Sequence, residues 1–379
     1  MGKIIEKNQG NPFEMQVEPE KVIPPKKDWK ERIKKALYYI FIDGLSGMAI
    51  GLFATLIIGT IIENIGKLFG DTEFAFYIKT VGQFAKFMMG AGIAIGMGYK
   101  LKKSPLVSIS AGVVGMLASF VAKITSGDVI SFSTVGEPLG SFIASFVALE
   151  IGSLVSGKTK VDIIVTPLTS IAAGASVAFL IGTPIASFMS LLSGLIQTAG
   201  EQQPFLMGIL VAVLMGVFLT LPISSAAIGV TLGLNGVVAG AAVVGCCTQM
   251  IGYAVMSFRE NKWGGLLAQG LGTSMLQMPN LMKKPILWLP PIIVSAILGP
   301  ISTCVLQMSS SAVGSGMGTA GLVGVIETFT VMIAFESWWI VLLKILAIDL
   351  ILPALLCFLI SEFMRKKNWI KEGDLKLDL

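Results

Sequence analysis

"PISSAAIGVTLGLNGVVAGAAVVGCCTQMIGYAV" (residues 222–255) runs for 34 residues without a charge. A helix that spans a bilayer takes about 20 residues, so this run is too long for one crossing and short for two full ones. Lys and Arg collect on the cytoplasmic edges of membrane segments. Such clusters lie upstream at Lys158 and Lys160 and downstream at Arg259 and Lys262. Between them, segments at about 162–181 and 204–222 leave and return. Residues 222–255 must therefore cross an even number of times, as a re-entrant hairpin or as two short helices.

The rest of the chain reads the same way. It has 379 residues, of which 54% are hydrophobic and 13% charged, with a mean hydropathy of +0.81. Soluble chains carry about 25% charged residues, so a soluble enzyme is excluded on composition. The expected fold is an all-α polytopic membrane protein with about 8–10 transmembrane helices plus re-entrant hairpins. Further basic edges at Lys26–Lys35, Lys100–Lys103, Lys283–Lys284 and Arg365–Lys367 divide the apolar segments. The first four spans fall at about 38–62, 77–99, 105–123 and 136–156, as two hairpins with their ends inside. An amphipathic stretch follows the fifth span at about 184–200, and later spans fall at about 285–307 and 337–363. Residues 264–283 lie between two basic clusters and read as interfacial or re-entrant. The domain reading is a polar cytoplasmic tail and amphipathic lead-in (1–35), a transmembrane domain (36–365) and a cytoplasmic tail (366–379). Residues 1–28 lack the apolar core of a signal peptide and read as mobile. The net charge of +5 comes from segment ends and sets topology, so no nucleic-acid partner is expected.

A second irregular stretch, "GSGMGTAGLVGVIETF" (314–329), packs five glycines ahead of Glu327. It must enter and leave on one side, as a hairpin. Irregular backbone survives at membrane depth only when buried in protein or lining a cavity. Glycine permits both the turn and the close approach.

Ionisable groups inside spans cost a few kcal/mol on insertion scales and mark function by default. These are Asp43, Lys86, Glu150, Glu327, Lys344 and Asp349, with polar amides at Gln83, Asn235, Gln249 and Gln307. Lys86 reads as a scaffold partner of Asp43 or Glu150. Lys344 and Asp349 are about 140° apart on a helix, so they do not pair within it. Glu327 is the leading ligand-binding candidate, beside broken backbone whose free N–H and C=O groups can join it around a polar ligand. Hydroxyls need paired donors and acceptors, and Glu, Gln, Asn and Thr supply both. A sugar therefore suits the site. Cys246, Cys247, Cys304 and Cys357 show no metal or CxxC spacing, so no metal or cofactor is expected. The chain contains no histidine, which excludes a phosphohistidine of its own.

"DGLSGMAIGLFATLIIGTI" (43–61), "KTKVDIIVTPLTSI" (158–171), the 221–252 run and "GSGMGTAGLVGV" (314–325) resemble the IIC-type membrane subunits of the phosphotransferase system. More narrowly they resemble its stand-alone group, which includes perfringolysin regulator-like proteins of Gram-positive bacteria. The resemblance implies a homodimer in a Gram-positive-type plasma membrane, termini cytoplasmic, with a scaffold part and a substrate-holding part. It implies a bound sugar phosphorylated by a separate IIB protein that a IIA protein recharges. "GVIET" (324–328) is similar to the motif that places a glutamate at the sugar, which carries that role onto Glu327, with Gly324 and Thr328 beside it. Ile326 and Thr328 replace the motif's usual threonine and proline. Asn235, Gln249 and Gln277 complete the expected substrate-binding set. Three functions fit: a sugar permease subunit, a transport-deficient membrane sensor or regulator of the same fold, and a gradient-driven transporter using Asp43, Lys86 or Asp349. In the first, the chain is at most the membrane component of a sugar phosphotransferase, with no phospho-acceptor of its own.

Overall fold

The computed structural model describes residues 29–67, 69–70, 72–131 and 136–377. The expected tail at 1–28 lies outside the described residues. The fold is helical, with no β-strand among the described residues. Among the described residues six helices are long and apolar enough to cross a membrane: α1 (Glu31–Lys67), α5 (Pro138–Val155), α6 (Asp162–Gly200), α9 (Gly236–Met256), α11 (Pro285–Leu306) and α13 (Trp338–Lys366). Between them lie α2 (Glu73–Phe87), α3 (Met89–Lys100), α4 (Pro105–Ser119), α7 (Pro204–Thr220), α8 (Ser225–Thr231), α10 (Phe258–Leu267) and α12 (Val323–Met332). The chain is thus an all-α polytopic membrane protein.

Local sequence sets many of these boundaries. Pro105, Pro138 and Pro204 open α4, α5 and α7, where a missing N–H costs nothing. The Ser104 hydroxyl caps α4 by accepting from the Val107 N–H, and Thr72 caps α2 by accepting from the Ala75 N–H. The second expected span bends at Met88 into α2 and α3.

The largest departure is α6. A span ending near 181 and a separate amphipathic stretch were expected, yet one helix of 39 residues runs through Pro167 and Pro184. Small residues hold its first half in place. Ser170, Gly174, Ala178 and Gly182 recur every fourth residue as one buried stripe. The Ser170 hydroxyl donates to the Ala148 carbonyl of α5, and a Cβ at Gly174 would meet Val114 at 2.6 Å. Contact at that range holds the helix against α4 and α5 across the prolines.

Helices α1–α6 form one part, and α7, α9, α11 and α13 form the other around α9. Helix α9 is uncharged and buried along almost its whole length. Backbone meets backbone where its glycines face neighbours. A Cβ at Gly245 would lie 1.9 Å from the Ala212 carbonyl oxygen of α7. One at Gly240 would lie 1.9 Å from that of Met308.

Most basic clusters gather on one face. Lys103 pairs with Glu150 at 2.8 Å, and Tyr39 donates to the same carboxylate at 2.8 Å. Lys283 lies over the neighbouring Tyr38 ring. Arg259 pairs with Glu362, and Arg365 holds Glu260 through contacts of 2.8 and 3.2 Å. The Glu260 side chain is only 3% exposed. Breaking such a pair by removing one partner costs about 3–5 kcal/mol, because the other charge is left buried. Arg365→Leu should therefore lower the melting temperature of the detergent-solubilised protein sharply, whereas Arg259→Leu, whose side chain is 59% exposed, should barely change it.

Candidate functional site

Both irregular stretches contain broken helix. Helix α8 has seven residues, about 10 Å of rise, far short of a bilayer. The chain then turns through Gly233 and Gly236, both at positive φ, into α9. The glycine-rich stretch begins where Gln307 ends α11 at φ +48°. It has no regular helix until Ala320, and α12 follows from Val323. The two stretches meet at their backbones. Gly236 and Ser310 exchange N–H···O bonds of 3.1 Å in both directions. The Ser225 hydroxyl donates to the Gly316 carbonyl at 2.7 Å. A Cβ at Gly316 would lie 2.4 Å from the Ser225 carbonyl oxygen. These glycines are there because another backbone occupies the space.

Two open cavities flank α8, and both reach the α1–α6 part. One, of about 450 Å³, is lined by Thr60, Lys86 and Lys123 on that side and by Ser224, Ser225 and Thr273 on the other. The second, of about 560 Å³, takes in Ser119, Glu137, Ser190, Ser193 and Gln197. Ala227 and Thr231 of α8 line both, so this short helix is the partition between them.

The expected ligand-binding residues are spread over three places. Glu327 is half-buried on α12, and its Oε2 accepts from the Ser311 hydroxyl at 2.8 Å. Gly314 lies against it: a Cβ there would come within 2.8 Å of Glu327 Cβ. Gly324 donates to the Gly318 carbonyl at 2.9 Å, closing the turn into α12. Thr328 is fully buried, and its hydroxyl has no partner among the described residues. Asn235 is exposed in the α8–α9 turn, next to the Gly236–Ser310 junction. Gln249 is buried on α9, where its amide oxygen accepts from Thr220 at 3.4 Å and its Nε2 has no partner among the described residues. Gln277 lies elsewhere. Its Nε2 donates to Gln269 and to the Leu375 carbonyl, both at 2.9 Å, and its Oε1 accepts from Asn280 at 2.8 Å. That amide holds the C-terminal segment.

The charged residues also find particular partners. Lys86 pairs with Glu63, not with Asp43 or Glu150 as the sequence suggested. Glu63 lies one hairpin away on α1, and sequence spacing gave no register between α1 and α2. Lys344 reaches Glu336 at 2.6 Å and the Leu306 carbonyl at 2.9 Å. Asp349 is fully buried on α13, and neither carboxyl oxygen has a hydrogen-bond partner among the described residues. Asp43 is half-buried on α1.

One residue was missed. Glu137 caps α5, accepting from the Leu139 N–H at 3.3 Å, and its carboxylate lies beside the Ser224 backbone. It thus sits between the start of α5 and the start of α8 at the cavity wall. The signal was the acid directly before a helix-opening proline, Glu137-Pro138.

A family model described as "Phosphotransferase system, EIIC" matches residues 42–377. No curated protein matches the chain.

Proposed function

The chain belongs to the phosphotransferase system EIIC family, and on that premise we propose that it binds a sugar in the cleft beside α8 and carries it inward for phosphorylation by a separate IIB protein. The observation that carries this reading is the 450 Å³ cavity between the two parts of the protein. Its size falls within the roughly 300–1,000 Å³ of small-ligand sites. Hydroxyls of Thr60, Ser224, Ser225 and Thr273 line it, and its Lys86 is neutralised by Glu63. The hydroxyl-bearing side chains suit a polyol, with Lys123 as a further cation on the wall. Val313, Met317 and Ala320 bring the glycine-rich hairpin to the same wall. Glu327, on that hairpin but not among the residues that line this cavity, is the proposed carboxylate acceptor for sugar hydroxyls, supported by its half-exposure and by a hydroxyl, not a cation, as its partner. Glu137 is proposed to position α8. The assembly is taken to be a homodimer with its basic face cytoplasmic. Without histidine, the chain accepts no phosphohistidine itself and depends on IIA and IIB proteins.

Two measurements test this. Sugars screened against the purified protein should include one that raises its melting temperature, since ligand at 100 times its dissociation constant adds about 2.7 kcal/mol. Vesicles loaded with IIA, IIB and the general phosphotransferase proteins should take up that sugar only with phosphoenolpyruvate present. Uptake that ignores phosphoenolpyruvate but collapses with an uncoupler would overturn the reading in favour of a gradient-driven transporter.

A further inference from the structure

The segment after α13 does not trail away. Ile370 and Leu375 are buried, at 2% and 0% exposed. A row of polar contacts fixes residues 374–377. Lys284 pairs with Asp374 at 2.6 Å. The Leu375 carbonyl accepts from Gln277 at 2.9 Å and from Asn261 at 2.8 Å. The Lys376 carbonyl accepts from Asn280 at 2.8 Å, and the Leu377 N–H donates to Asn261 at 2.9 Å. Buried Gln269 backs this row by accepting from Gln277 and donating to Ser257 at 2.8 Å.

These partners belong to the α9–α13 part, but the far end of the segment reaches α1. Leu377 packs into a small cluster with Ala49 and Phe53 of α1 and with Ala268 and Leu276. Between them lies a cavity of about 200 Å³, lined by Ser46 and Ala49 of α1, by Asn280 and Lys283, and by Gly373, Lys376 and Leu377. The C-terminal segment therefore spans the seam between the two parts on the basic face. The two larger cavities lie along the same seam, beside α8.

We propose that residues 370–377 are the inner gate of the transport path: docked, they seal the seam between α1 and the 258–283 region, and they must lift for substrate to leave on the basic face. Backbone carbonyls and side-chain amides make most of the clamp, so each contact is weak enough to open and the set is specific enough to reclose. Leu375 is the buried peg. The gate rests on the transport reading above; the labelling part of its test does not.

The test uses the full chain with Cys304→Ser, which removes the exposed thiol, and a reporter, Ser46→Cys, under the docked segment. A soluble maleimide is applied to the basic face of inside-out vesicles. Leu375→Asp should raise the labelling rate of the reporter by roughly tenfold or more, the factor expected from losing one fully buried leucine. Asp374→Asn, which removes only the ion pair, should raise it less and guards against misfolding of the first variant. Unchanged labelling in both variants overturns the gate whatever the transport activity. Raised labelling with unchanged sugar uptake and efflux also overturns it, because the segment would then cover the seam without controlling flux. Raised labelling with altered uptake or efflux supports the gate. Absent uptake in the parent chain fails the permease reading, and efflux of preloaded sugar then decides the gate.

Discussion

Glu327→Gln should abolish sugar-dependent stabilisation and phosphoenolpyruvate-driven uptake together while leaving the unliganded melting temperature almost unchanged. Glutamine is nearly isosteric and keeps an oxygen to accept from Ser311, so the local bond at 2.8 Å survives. The charge does not survive, and neither does the second acceptor oxygen. A hydrogen bond to a charged group contributes about 1.5–3 kcal/mol, against about 0.5–1.5 for a neutral pair. Each tenfold in affinity is about 1.4 kcal/mol, so two weakened sugar hydroxyl bonds reduce affinity about a hundredfold. Titrating sugar against melting temperature in wild type and variant reads this directly. A variant that binds and transports like wild type would remove Glu327 from the site. A variant that melts much earlier without sugar would make it a structural carboxylate instead.

The second large effect is on folding. Gly245→Val should leave little folded protein, because its Cβ would sit 1.9 Å from the Ala212 carbonyl oxygen and 2.6 Å from Ala212 Cα. The obstacle is backbone on α7, which no rotamer change can relieve. Overpacking a well-filled core costs about 1–3 kcal/mol even where side chains can move aside, so this substitution should exceed that range. It would also push apart the two helices that back the cleft. Gly194→Ala is the control. Nothing lies within 4 Å of a Cβ there, and α6 should gain about 0.5–1 kcal/mol from the better helix former. Size-exclusion profiles and melting curves of the two variants separate the outcomes. Equal stability would show that α7 and α9 can separate freely.

Much of this architecture was legible in the chain. Hydropathy located the membrane segments because apolar length is a local property, and basic clusters located one face for the same reason. The 222–255 run declared itself too long for one span, but in place of a hairpin or two short helices it forms the seven-residue α8 and the membrane-length α9. The glycines of 314–324 pointed to close packing, and Gly316 against Ser225 bears that out. Where partners were needed, local pattern failed. A span ending near 181 and a separate amphipathic stretch were expected, but one helix, α6, runs through both, with Ser170 to Gly182 as a buried stripe on its first half. Gln277 looked like a substrate amide because it is polar in an apolar stretch, yet its hydrogen bonds go to Gln269, Asn280 and the Leu375 carbonyl, 98 residues away. Glu137 was read past because the element it faces, the start of α8 at Ser224, is far along the chain.

By itself the sequence determined the class of the protein, most of its apolar segments, the positions of its two irregular stretches and its likeness to the EIIC family. Apolar length, charge at segment ends and glycine content are written along the chain and depend on near neighbours only. Tertiary structure alone decided which polar groups satisfy one another: Lys86 with Glu63, Lys344 with Glu336, and Gln277 with the C-terminal segment. A buried polar group must find its partner wherever packing brings one within about 3 Å, and the register between helices that sets this distance is fixed only when their surfaces meet.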